Sequence, residues 1–269
     1  MKHDKNIPKL ATFLAFLALT VLSCSGSSGI SGLFATETLT PTMTFTPSPT
    51  STPTSTPTET ATPSPTPLPI GVQVEEQSDG STLFIDYDNQ YQLSLPKDWT
   101  VIPLSSDDLA TILSNLSEKN PALKDIAESF QQLDPDVIRV IAVNDNPKYF
   151  VNGYSTNMTV TAVKDPLMAT MPLDFVTGAV EETLQQQGAT IVNESTVTTN
   201  ANGIEIGTFE FQKTTPTSTG ASVMIRSKAI LFQTTGKIVM IQLTTPQQFG
   251  EELFPILDDV LDSVNLLEL

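Results

Sequence analysis

Ile191–Thr199 (IVNESTVTT) and Ile204–Gln212 (IEIGTFEFQ), followed by Ser222–Gln233 (SVMIRSKAILFQ) and Lys237–Thr244 (KIVMIQLT), are four runs rich in Val, Ile, Thr and Phe. Asn202-Gly203 lies between the first two and Thr235-Gly236 between the last two. Glycine tolerates the positive φ that tight hairpin turns demand, so the segment predicts two consecutive hairpins. Strands joined this way are antiparallel and need cover on at least one face. Within Ile204–Gln212 the apolar phase switches from Ile204/Ile206 to Phe209/Phe211 at Gly207, which predicts a β-bulge there.

Working outward, Met158–Val163 and Val137–Val143 (VIRVIAV) read as strands. Thr82–Tyr87 and Tyr91–Leu95 read as a further pair turning through Asp88-Asn89. Helical spacing separates them. Leu109, Ile112, Leu113 and Leu116 follow a capping pair, Ser105 and Asp108. Leu123, Ile126, Ala127 and Phe130 follow Asn120-Pro121 as cap and first turn. Pro172 opens a helix carrying Leu173, Val176, Val180 and Leu184, which Gly188 stops. A last helix is expected from Thr245, with Pro246 in its first turn, Gln248 at the capping-box position and Pro255 kinking or splitting it before Val264. Hairpins with helices inserted and appended give an α+β fold, an antiparallel sheet with helices packed on it.

This domain occupies residues 70–269. Ahead of it, Thr36–Pro69 holds 14 Thr, 9 Pro and 4 Ser in 34 residues, too few apolar groups to bury a core. Proline holds such a chain near polyproline II, so 24–69 reads as a disordered Ser/Thr/Pro-rich spacer at roughly 3.1 Å per residue, with glycosylation of its hydroxyls open.

Residues 1–23 begin with a basic stretch, MKHDKNIPK, and continue with 13 mostly apolar residues, Leu10–Leu22. That run is shorter than the ~20 residues of a spanning helix and fits the apolar core of a signal peptide. Ser23 then precedes Cys24, the only cysteine of the chain, and VLSC resembles a bacterial lipobox. The resemblance implies cleavage between Ser23 and Cys24, acylation of Cys24, and attachment to a membrane on its extracytoplasmic side. Several acyl chains, at ~0.8 kcal/mol per buried methylene, anchor firmly. A lone exported cysteine would otherwise be a free thiol. The competing reading is an ordinary secretory signal or an uncleaved anchor.

Cleavage also narrows the chemistry. The only histidine, His3, lies in the removed segment, so the mature chain offers no His or free thiol for nucleophile triads, imidazole acid/base catalysis or Cys/His zinc sites. A formal net charge of −17 argues against nucleic acid, whose binders need a basic face.

The segment Tyr91–Pro103 (YQLSLPKDWTVIP), the helix over 173–187, the paired hairpins and the ending LDDVLDSVNLLEL together resemble the PsbP/DcrB-like superfamily. What the resemblance implies is an α/β/α sandwich over about 75–267, acting without catalysis or cofactor as a binding or assembly domain with a protein partner. It carries over no catalytic residue. Two other classes stay open: a carboxylate-based hydrolase of cell-wall or extracellular polysaccharide, and a solute-binding or adhesion module.

Few residues stand out as a site. Asp86 and Asp88 in DYDNQY have calcium-loop spacing, but Gln90 and Tyr91 break the EF-hand pattern and the flanks are strands, which leaves a turn with local hydrogen bonds. Asp134-Pro-Asp136 and Asn144-Asp145-Asn146-Pro147 are also turn chemistry. Arg226 and Lys228 alternate on one strand and Arg139 lies in another. The three would line an anion pocket if those strands were neighbours, the plainer reading being side chains extended to water. Glu251, Glu252, Asp258, Asp259 and Asp262 give the last helix an acidic, solvated face. Trp99 reads as core beside Val101 and Ile102. Asn115, Asn157 and Asn193 are Asn-x-Ser/Thr sites that mean little in a bacterium.

Overall fold

The computed structural model describes residues 69–106, 109–119, 130, 133–217 and 220–268. The expected signal segment, Cys24 and nearly all of the spacer lie outside them, as do Asp108 and Asn120–Ala127 of the two expected N-terminal helix features.

The two quoted hairpins form as antiparallel pairs. They are β9 (Thr190–Thr199) with β10 (Glu205–Pro216), and β11 (Ser222–Thr234) with β12 (Lys237–Pro246). Thr234 opposes Lys237, so Thr235-Gly236 is a two-residue turn, with Gly236 at φ +73°. The β9–β10 connection is wider than two residues. Asn200 takes part in it, because its side chain bonds outward as described below and its Oδ1 accepts from Asn202 N and Ile204 N, both at 3.0 Å.

β12 continues the sheet onto β8 (Asn157–Lys164), then β5 (Ile138–Val143), then β4 (Thr100–Pro103), giving the seven-stranded order β4-β5-β8-β12-β11-β10-β9. β4 is a short edge strand of β-branched residues that Pro103 ends. Four strands form a smaller antiparallel sheet, β1 (Val72–Glu76), β2 (Thr82–Asp86), β3 (Tyr91–Leu95) and β13 (Asn265–Leu266). Only the β2–β3 hairpin of this sheet is legible as a pattern. β6 (Phe150–Val151) and β7 (Tyr154–Ser155) make a minimal hairpin through Asn152-Gly153, both at positive φ.

Among the described residues three helices pack on the large sheet, α1 (Leu109–Lys119), α2 (Leu173–Gln186) and α3 (Gly250–Ser263). On one face, Val140, Val160, Ile230, Phe232, Ile241 and their neighbours meet Phe84, Tyr91, Leu93 and Leu95 of the small sheet and Leu253, Phe254, Leu257 and Val260 of α3. On the other face α2 packs through Leu173, Val176, Val180 and Leu184 onto Phe209, Phe211, Ile225 and Leu231. Beside it, α1 and the buried Phe130 cover Ile102, Ile138, Ile141 and Val143. The molecule is α+β, with the large sheet between two helical layers, one of which also contains the small sheet.

Three expectations are corrected. The last helix does not start at Thr245. Thr245 is fully buried, pairs with Arg226 across the ladder and shares a hydroxyl hydrogen bond with Thr156 at 2.7 Å, so it stays in β12. A 3-10 turn, Gln247–Phe249, then leads into α3. Pro255 does not split that helix, which runs unbroken from Gly250 to Ser263 with Pro255 on its exposed side.

Gly207 is not a bulge either. It opposes Val197 and Leu231 in regular register, and the irregularity lies between Thr208 and Phe211. A Cβ at Gly207 would stand 2.2 Å from Thr177 Cγ2. The glycine is there because α2 approaches the sheet closely at that point, with the Thr177 hydroxyl turned back to Leu173 O at 2.8 Å.

Candidate functional site

The basic residues of the strands do not meet. β5 and β11 are separated by β8 and β12, so Arg139 is remote from Arg226 and Lys228, and each is occupied in its own ion pair. In the pairing with β8 the register shifts between Ile138 and Val140, making Arg139 the extra residue of a bulge. The bulge sends its guanidinium to the small sheet. Arg139 Nε donates to Asp86 Oδ2 at 2.8 Å, Nη2 to Asp88 Oδ2 at 2.9 Å and Nη1 to Pro135 O at 2.8 Å.

Asp86 is fully buried and also accepts from Asn89 N and Nδ2, so the local-turn reading of Asp86–Tyr91 holds but omits its main partner. Lys237 Nζ bonds Asp88 O and Asn89 Oδ1, and Gly71 N bonds Asp88 Oδ1. Burial beside Asp86 drives the Tyr91 phenol well above its usual range. The cluster fastens the small sheet and the start of the domain to the large sheet. It is internally neutralised and closed.

The acidic face of α3 does more than meet solvent. Glu251 bonds Arg226 at 2.5 Å, Asp258 pairs with Lys228, and Arg226 also holds Glu210 at 2.6 Å and lies 5.1 Å from the Phe254 ring centroid. Glu252 takes Lys148 and accepts from Tyr149 Oη at 2.9 Å, and those contacts keep its carboxyl below the usual range. The other end of α3 is capped from the β9–β10 turn. Asn200 Nδ2 donates to Leu261 O and Val264 O, and Asn202 Nδ2 to Val264 O. Asn200→Ala is therefore expected to lower stability by about 1–3 kcal/mol, measured by urea titration, because Leu261 O and Val264 O each lose one donor and the N–H groups of Asn202 and Ile204 lose their acceptor.

Between these anchors α3, the β3–β4 connection and the segment 144–149 enclose a groove of about 910 Å³. Leu95, Leu253 and Val260 form its buried floor, and Ile256, Trp99 and Tyr149 are half-buried along it. Trp99, expected in the core, packs against the core's margin and shows part of its indole to the groove. Asp98, at φ +63°, turns the chain just before it. Tyr149 is fixed by an edge-on contact with Phe249 (5.2 Å between centroids) and by Glu252. Asn144–Pro147 carries the expected turn chemistry, with Asn144 Oδ1 accepting from Asn146 N at 3.1 Å. Asn146 Oδ1 caps the 3-10 turn Pro147–Tyr149 by accepting from Lys148 N at 3.0 Å, which delivers Tyr149 to the rim.

Asp79, Asp98, Asp145 and Asp259 stand on the rim with one lysine, Lys97. Hydrogen bonds from Ser81 hold the Asp79 carboxyl below the usual range, with Lys97 contributing. Asp145 accepts from Thr100 Oγ1. Among the described residues Asp98 and Asp259 make no ion pair. The arrangement suits binding: a rigid apolar floor with two aromatic side chains and an anionic rim. No sequence pattern marks it, because its lining comes from four separate segments.

The carboxyl raised by burial lies elsewhere, at Glu181 of α2, on the opposite side of the large sheet, with Glu194 adding repulsion. A carboxyl whose folded pKa exceeds its unfolded value binds more protons when folded. Its destabilising charge is absent below the unfolded value near 4.5 and fully present once the pH passes the raised one. Glu181→Gln is expected to flatten the fall in stability over that window and to raise the urea midpoint at pH 7. Among the described residues no group of three or more His, Cys, Asp or Glu is placed to hold a metal, and no helix is long and apolar enough to cross a membrane. Asn115 and Asn193 are exposed, whereas Asn157 is half-buried within β8.

No family model matches the chain, and no curated protein matches it. Among solved structures, cyanobacterial PsbP (CyanoP) from Synechocystis sp. PCC 6803 is similar at TM-score 0.42 and 13% identity, over 73% of this chain and 92% of that one. LpqN, involved in cell envelope biogenesis of Mycobacterium tuberculosis, gives TM-score 0.38 and 11% identity over 73% and 91%. The Saccharomyces cerevisiae Ran-binding protein Mog1p gives 0.38 and 11% over 74% and 97%. Likeness at this level assigns no function, and the α+β architecture stands on the strands and helices described above.

Proposed function

We propose that the chain is a bacterial lipoprotein whose domain, residues 70–269, binds a protein partner without catalysis on the extracytoplasmic side of a membrane. In this reading cleavage after Ser23 exposes Cys24, acylation of Cys24 anchors the chain, and 24–69 spaces the domain from the bilayer. The groove carries the binding half of the proposal. Trp99, Tyr149 and Ile256 remain partly open around an apolar floor, while the charged residues elsewhere on α3 and the strands are largely spent on holding the fold. Exposed apolar surface framed by polar residues is the physical mark of a docking surface. The VLSC segment supports the address.

Fractionation of cells producing the native chain or Cys24→Ala tests the anchor, and co-purification from detergent-solubilised membranes tests the binding. The native chain is expected in membranes with one reproducible partner, and Cys24→Ala in the soluble fraction without it. Retention of Cys24→Ala in membranes would overturn the lipid anchor. An anchored chain that recovers no partner would overturn the assembly role.

A further inference from the structure

We infer that the occupant of the groove is a polypeptide segment presenting an aliphatic or aromatic anchor flanked by lysine or arginine. The inference rests on the reading of the groove as a docking surface and adds the chemistry of what docks. Four observations combine. The floor is aliphatic, formed by Leu95, Leu253, Ile256 and Val260, and would desolvate an apolar side chain. Trp99 stands beside it, half-buried, in a position to cover such an anchor or to face a cation. The rim carries four aspartates to one lysine: Lys97 acts on Asp79, and among the described residues Asp98 and Asp259 make no ion pair.

The contrast within α3 is the fourth observation. Glu251, Glu252 and Asp258 each meet a basic residue of this chain, whereas Asp259, which faces the groove, does not. A basic partner would give Asp259 the counter-ion that those three carboxylates already have; Asp262, also without an ion pair among the described residues, lies outside the groove. Such a rim repels polyanions and anionic headgroups. A neutral glycan fits less well, because Tyr149 packs at right angles to Phe249, its hydroxyl is committed to Glu252 and Lys148 Nζ lies over its ring.

The test is selection of a phage-displayed library of random dodecapeptides on the full chain in detergent micelles. Binding of the selected peptides is followed by the fluorescence of Trp99, the only tryptophan of the chain. The enriched peptides are expected to carry net positive charge around one apolar residue and to shift Trp99 emission. Their affinity should fall about tenfold in Asp98→Asn/Asp259→Asn, a change that keeps an αL-tolerant residue at position 98. It should stay within about twofold in Glu194→Gln/Glu205→Gln, which removes the same charge from exposed positions on the opposite hairpin.

Several results would overturn the inference: no enrichment, enriched peptides that are acidic or uncharged, equal weakening by both double variants, or a Trp99 response to neutral chitooligosaccharides instead of peptides. If a membrane partner still photo-cross-links to position 98 on the groove rim, the docking surface stands and only its chemistry is refuted.

Discussion

Arg139→Met is expected to destabilise the domain by about 3–5 kcal/mol, the loss typical when one member of a buried ion pair is removed. Asp86 has no exposed surface, and its carboxylate would keep only the hydrogen bonds from Asn89 against the cost of burial. Methionine fills much of the volume of the arginine stem, so the effect reads the charge more than the cavity. Trp99 packs against the core cluster, so its emission during urea titration reports the unfolding. The double variant Asp86→Asn/Arg139→Met should recover part of the loss, because a neutral amide is cheaper to bury than a lone carboxylate. Lys148→Met, which removes an exposed ion pair with Glu252, should leave the midpoint nearly unchanged. Equal losses from Arg139→Met and Lys148→Met would refute the buried latch.

Gly207→Ala should cost about 1–3 kcal/mol or more, since the added methyl meets Thr177 Cγ2 at 2.2 Å and α2 must shift off Phe209 and Phe211. Thr177→Ser removes that methyl and keeps a hydroxyl able to donate to Leu173 O, so alone it should cost about 1 kcal/mol. In the double variant the alanine occupies the vacated space, and the total should be smaller than the sum of the single losses by about 1–2 kcal/mol. Strict additivity would mean that backbone conformation, and not the helix contact, decides this position.

These two positions also show where the sequence stopped being legible. The β9–β12 hairpins were open to reading because each carries its own turn signal and alternation. The switch of apolar phase around Gly207 was visible too, but its cause was not. A helix passing overhead is a long-range fact, whereas a bulge is the local explanation of the same pattern.

Arg139 in VIRVIAV reads as a basic residue reaching water. Its partner Asp86 lies 53 residues away in another sheet, and the bulge that aims it there leaves no mark in the strand. β4 and β13 are short, and pairing with the distant strands β5 and β3 holds them more than propensity does. Thr245-Pro246 matched a helix start by its residue types, yet the buried hydroxyl pair with Thr156 kept it in the sheet. The groove was the least legible feature. Trp99 and Asn144–Pro147 drew attention singly, for core and turn, and only the packing of α3 across them brings them to one surface.

The most direct test is photo-cross-linking in native membranes, with a benzophenone amino acid placed at position 98 on the groove rim, and at exposed position 196 on β9 as the control. Position 98 is expected to yield one discrete adduct with a membrane-associated protein, lost when Trp99→Ala is added and absent from position 196. Adducts that form equally at both positions, or none from position 98 while the chain remains anchored, would contradict a partner held in the groove.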